Sequence, residues 1–176
     1  VCSSDLLLQQ NSNAGALAYF RDFLGRYPRA MEVRLNYARL LVAAQRYVDA
    51  RGEFETLLKE FPDSQDVMFA VGVLALQLKD FDAAEAQLRR ALDAGYKNPD
   101  EVRLYLGQAN EERKRFDEAL RWYESVSGGN QFVPSRARYA NVLAKQGRLG
   151  HARSFLQGAG RNSPERVQFT QIEAQL

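Results

Sequence analysis

The chain has one cysteine, Cys2, and one histidine, His151, among 176 residues. A single cysteine excludes an internal disulfide. A single imidazole excludes a histidine metal cluster and a pair of catalytic imidazoles. No Gly-rich phosphate loop, GxSxG elbow or HExxH occurs, so the usual nucleotide, hydrolase and zinc-protease signatures are missing. No apolar run approaches the ~18 residues of a membrane helix. The formal net charge is only +2, so there is no global basic field to attract nucleic acid. The charge is unevenly placed, with seven basic and two acidic side chains from Asn130 onward. Such a basic end is first a solvated helical surface and second a place for an acidic partner. No catalytic residue, metal ligand or cofactor is expected.

What the chain has is repetition. FDEALRWYESV, starting at Phe116, echoes FDAAEAQLRRAL from Phe81 and YVDARGEFETLL from Tyr47. RLGHARSFLQGA from Arg148 is a looser copy, and GALAYFRDFL from Gly15 is a copy without its first half. The anchoring alanines Ala16, Ala50, Ala84, Ala119 and Ala152 stand 34, 34, 35 and 33 residues apart. A period near 34 denotes an array of identical supersecondary units. The three acids and the Trp122 of the Phe116 stretch therefore read as scaffold rather than as the wall of an active site.

Each unit reads as two helices. In the first unit Tyr37, Ala38 and Leu41 share one helix face, and Ala50, Phe54 and Leu57 share another. Pro62 ends the unit, because proline cannot continue a helix. Gly or Ala at the eighth position (Ala38, Gly72, Gly107, Ala140) lets the paired helices approach closely. Asn98-Pro99-Asp100-Glu101 and Ser163-Pro164-Glu165 carry N-terminal cap signals. The paired acids Asp100-Glu101 and Glu111-Glu112 read as solvated helix surface, and Glu85 as the outer face of a second helix.

These boundaries give an N-terminal segment at 1–13, a second helix of a truncated repeat at 14–30, and four repeats at 31–64, 65–99, 100–132 and 133–164. Residues 165–176 read as the first helix of a further repeat or a cap. VCSSDL resembles translated adapter sequence, so the N-terminal segment is expected to be partly artefactual or disordered, and the chain a fragment. No basic n-region or apolar h-region precedes Cys2.

The pattern from Ala14 to Pro164 resembles the tetratricopeptide repeat. The resemblance implies an all-α fold, a right-handed α-α superhelix (solenoid) of stacked helix pairs, and a role in binding protein or peptide partners. It departs from the family pattern where an aromatic is expected in the first helix: Arg34, Met68, Arg103 and Arg136 stand there. The pentatricopeptide family has a similar period, but near-neutral charge argues against its RNA-binding groove. The resemblance places the partner-binding groove on first-helix positions that include Leu35, Arg39, Phe69, Val73, Gln108 and Asn141. There Phe69 and Val73 would offer an apolar anchor, and Arg39, Gln108 and Asn141 would hydrogen-bond a bound polypeptide. Family members that clamp a chaperone's terminal carboxylate use Lys and Asn where this chain has Leu35 and Arg39, so that clamp is absent.

Residues 114–153, above all YESVSGG followed by VP, are similar to the repeat arrays of proteobacterial envelope lipoproteins. These are adaptors that hold carboxyl-terminal processing proteases and deliver their substrates. That resemblance implies a non-catalytic adaptor at the periplasmic face of the outer membrane. The alternative is a recruitment module of a larger enzyme whose catalytic domain lies outside this fragment.

Overall fold

The computed structural model describes residues 3–161 and 163–176, with side chains from residue 14 onward. Ten α-helices follow one another: α1 (Ser3–Arg26), α2 (Met31–Ala43), α3 (Tyr47–Glu60), α4 (Gln65–Gln77), α5 (Phe81–Asp93), α6 (Pro99–Glu112), α7 (Phe116–Glu124), α8 (Phe132–Lys145), α9 (Leu149–Gly160) and α10 (Arg166–Ala174). A single 3-10 turn at Gly129–Gln131 precedes α8. Among the described residues there is no strand. Helix α1 begins at Ser3, within the segment set apart at 1–13, and residues 1–2 lie outside the described residues.

The pairs close by one device repeated four times. Gln45, Lys79, Lys114 and Gly147 adopt left-handed φ values of 58°, 60°, 59° and 76°. Behind each, the next amide reaches back five residues to a helix carbonyl: Arg46 to Leu41 at 2.9 Å, Asp80 to Ala75 at 2.8 Å, Arg115 to Asn110 at 2.9 Å and Arg148 to Leu143 at 2.9 Å. This Schellman closure turns the chain sharply, so the second helix runs back along the first. The anchoring Ala50, Ala84, Ala119 and Ala152 are fully buried in that contact, whereas Ala16 on α1 is only half-buried. Gly72 and Gly107 are small for a reason. A Cβ on Gly72 would lie 2.8 Å from Leu88, and one on Gly107 would overlap the Tyr123 ring.

Curvature follows from which helices touch. The backbones of first helices α4 and α6, α6 and α8, and α8 and α10 approach closely, while those of no two second helices do so among the described residues. A stack that is close along one row and open along the other bends with the close row inside. The outer row is bridged instead by long charged side chains. Arg51 on α3 reaches Asp80 before α5 at 2.8 Å, and Arg113 after α6 reaches Asp82 at 2.5 Å and Glu85 at 2.7 Å.

The arginines that replace the family aromatic are structural. Arg136 donates to the carbonyls of Tyr123 at 2.9 Å and Val126 at 3.0 Å, and lies 4.8 Å from the Phe132 ring. It thus caps α7, whose last carbonyls have no helical partner. Arg34 donates to the carbonyl of Pro28 at 2.8 Å and pairs with Glu53.

Two expectations are corrected here. Asn98 makes no side-chain cap bond, and α10 starts after Glu165 rather than at Pro164. Asp100, beyond its place at a helix start, accepts from the Ser127 amide at 3.2 Å, the Ser127 hydroxyl at 2.9 Å and the Gly128 amide at 3.1 Å. It therefore ties the start of one repeat to its end.

Candidate partner-binding groove

The concave face is the row of first helices. Positions four apart on each helix share a face, which sets Leu35 with Arg39 on α2 and Phe69 with Val73 on α4. Gln108 stands on α6 and Asn141 on α8. Arg39 and Asn141 are exposed, and Gln108 is half-buried. Leu35 is half-buried against the core that holds Tyr37, Leu41 and Phe54. Leu76, one turn beyond Val73, is buried in the packing between helices.

Phe69 belongs to an aromatic group that the sequence did not reveal. Its ring stacks on Tyr96 with centroids 4.5 Å apart, and Tyr105 lies 5.7 Å away at a tilt. Tyr96 comes from the α5–α6 turn and Tyr105 from α6. Helices α4 and α6 therefore join through rings as well as through aliphatic packing. Val73 packs against the same cluster. Burial raises the Tyr105 phenol above its usual range, with the Glu101 carboxylate adding to the rise.

Of the paired acids read as solvated, Glu111 as well as Asp100 is engaged. Glu111 is buried, accepting from the Tyr123 hydroxyl at 2.7 Å and from Lys145 at 2.6 Å, with Arg138 at 3.4 Å. Burial alone would raise its pKa. The hydrogen bonds from Lys145 and Tyr123 and the charges of Lys145 and Arg138 outweigh that and hold it below the usual glutamate range. The network joins α6, α7 and α8. Glu85 likewise is no free outer-face residue, since it pairs with Arg89 at 2.8 Å, Arg113 at 2.7 Å and Arg115 at 3.4 Å. In contrast, Asp117, Glu118 and Glu124 are exposed, and Trp122 packs beneath Arg89, whose guanidinium lies 5.1 Å from its ring.

His151 is exposed on α9 and lies 3.4 Å from Arg148. Among the described residues no three His, Cys, Asp or Glu side chains cluster as metal ligands would. No described helix is long and apolar enough to cross a membrane. The class is that of a helical-repeat array whose inner row carries aromatic, aliphatic and polar side chains.

Comparison with known proteins agrees with that class. Two tetratricopeptide-repeat family models match, one at residues 38–99 and again at 69–129, the other at 7–68. The chain belongs to the tetratricopeptide repeat family, whose members are protein-interaction scaffolds. It is 36% identical over 77 residues to the TPR repeat-containing protein PA4667 of Pseudomonas aeruginosa, a match covering 43% of this chain and 13% of that protein. Solved structures share the fold. The MamA protein superposes with a TM-score of 0.77 at 16% identity, covering 93% of this chain and 90% of that one. YrrB, described as a TPR protein with an unusual peptide-binding site, gives 0.65 at 17%, covering 88% and 79%. Pseudomonas aeruginosa pilF gives 0.60 at 19%, covering 89% and 72%.

Proposed function

We propose that this chain is a non-catalytic scaffold that holds a polypeptide segment in its concave face. The observation that carries the reading is the make-up of the inner row. Arg39, Gln108 and Asn141 there make no hydrogen bond or ion pair among the described residues, and half-buried Phe69 and Val73 stand on the same row. Long polar side chains left without partners beside half-buried Phe69 and Val73 suit a ligand that brings its own peptide groups. The finer reading is an envelope adaptor that presents substrates to a carboxyl-terminal processing protease at the periplasmic face of the outer membrane. Its support is the resemblance of residues 114–153 to such lipoprotein adaptors.

The test is a titration of a purified carboxyl-terminal processing protease, or a substrate of one, against the parent chain and three variants. Phe69→Ala should weaken binding about 30-fold, the equivalent of ~2 kcal/mol for a truncated aromatic anchor. Asn141→Ala, an exposed position without intrachain bonds, should weaken it severalfold without touching the fold. Glu118→Ala, exposed on α7, should leave it unchanged. Equal affinity for parent, Phe69→Ala and Asn141→Ala, with all melting alike, would remove the groove from the mechanism.

A further inference from the structure

At the seam between α4 and α6 the groove carries rings and acids together. Asp66 precedes Phe69 by three residues on α4, and Glu101 precedes Tyr105 by four on α6, so each carboxylate sits one helical turn from a ring. Tyr96, stacked on Phe69, is 8% exposed, and its hydroxyl reaches the surface with no hydrogen-bond partner among the described residues. Burial, then the charges of Glu101 and Asp66, raise its phenol above the usual range, so both carboxylates act on one point. The only cation paired with this patch among the described residues is Lys97, which lies 3.6 Å from Asp66 with both side chains 70% exposed. An ion pair that exposed is worth little and is readily displaced.

We propose that this acid-rimmed aromatic patch takes a cationic side chain, arginine or lysine, of the bound polypeptide. The cation would lie against the Phe69 and Tyr105 faces, within reach of the Asp66 and Glu101 carboxylates and the unpaired Tyr96 hydroxyl. Ring faces carry negative potential, and nearby carboxylates add to it. The chain itself makes the same contact elsewhere, with the Arg136 guanidinium 4.8 Å from the Phe132 ring. Lys97 occupies one carboxylate in the absence of a ligand, so binding exchanges one exposed ion pair for a better-enclosed one. The proposal rests on the groove reading for its polypeptide and adds the chemistry of one anchor residue.

The experiment is a nuclear magnetic resonance titration of the full chain with acetyl-Gly-Arg-Gly-amide, with acetyl-Gly-Glu-Gly-amide as control. The arginine peptide should shift resonances in 66–73 and 96–105, and the glutamate peptide should not. Asp66→Asn with Glu101→Gln keeps all three rings and should weaken the arginine peptide at least fivefold. Lys97→Ala should strengthen it about twofold, which a purely structural role for Asp66 does not predict. Shifts that are absent from the patch, or unchanged in the double variant, overturn the inference. A protein partner that needs Phe69 and Asn141 but binds the double variant like the parent also overturns it, and leaves the groove reading standing. A partner indifferent to Phe69 and Asn141, with the arginine peptide still seated on the patch, supports the patch and overturns the groove reading.

Discussion

The ring of Tyr123 occupies the space that a side chain on Gly107 would need, and its hydroxyl is tied at 2.7 Å to Glu111, one helical turn further along α6. A ring held at its far end cannot swing aside. Gly107→Ala should therefore destabilise the chain by about 1–3 kcal/mol through overpacking, despite the better helix propensity of alanine. Gly72→Ala meets the flexible end of Leu88 at 2.8 Å and should cost less. Urea denaturation of both variants checks the order; a Gly107→Ala protein as stable as its parent would show that the ring yields.

Glu111 should make part of the stability acid-sensitive. Its pKa is lowered in the folded chain by Lys145, Tyr123 and Arg138 against the effect of burial. A lowered carboxyl contributes stability that is present above its unfolded value, ~4.3, and is lost as pH falls through the folded value. Glu111→Gln should cost about 1–2 kcal/mol at neutral pH and flatten the decline below about pH 4.5. Melting temperatures against pH for the two proteins would diverge at neutral pH and converge in acid. Parallel curves would mean that Glu111 ionises equally in both states.

The left-handed turns give a stabilising prediction. Lys79 and Lys114 hold φ near 60° with a Cβ present, where Gly147 holds the equivalent place without one. Lys79→Gly and Lys114→Gly relieve a left-handed penalty of roughly 1 kcal/mol, partly offset by unfolded-state entropy. Each should raise stability by about 0.5 kcal/mol, read as a higher urea midpoint with unchanged slope. A lower midpoint would show that the lysine stems contribute more by packing than the turn loses.

Arg136 should resist conservative replacement. Arg136→Met keeps apolar contact with Phe132 but abandons the carbonyls at the end of α7, an expected loss of about 1–3 kcal/mol. Arg136→Lys should recover only part of it, because an ammonium cannot reproduce the planar fork that reaches several carbonyls. Full recovery by lysine would reduce the contact to charge alone.

The helix pairs, their closing turns and the close approach at Gly72 and Gly107 were legible because they recur, and recurrence sets identity against position. The roles of Glu111, Glu85 and the arginines at 34 and 136 were not. A carboxylate on a helix reads as solvated until its partners are located, and those of Glu111 lie 12, 27 and 34 residues away. Arg34 and Arg136 departed from the expected aromatic and read as weak points, yet Arg136 ties the carbonyls at the end of α7 and Arg34 the Pro28 carbonyl in the turn after α1. Phe69 was legible as an apolar residue on the inner face. Its stacking on Tyr96 was not, because Tyr96 sits in a turn where helical periodicity gives no direction.

The backbones of the inner row approach closely from α4 to α10, whereas α2 and α4 are joined only through a shared side-chain core that holds Tyr37 and Leu41 with Val67 and Val71. The array therefore has a seam with its own compliance. Bending there disturbs few backbone contacts in the inner row, while bending further along must pull touching helices apart. A ligand that engages Arg39 on one side and Phe69 on the other would act as a splint across the joint. Its enthalpy of contact would be set partly against the freedom that the joint gives up. Amide exchange should slow first in residues 31–43 when such a ligand is added, ahead of any change in α6 or α8.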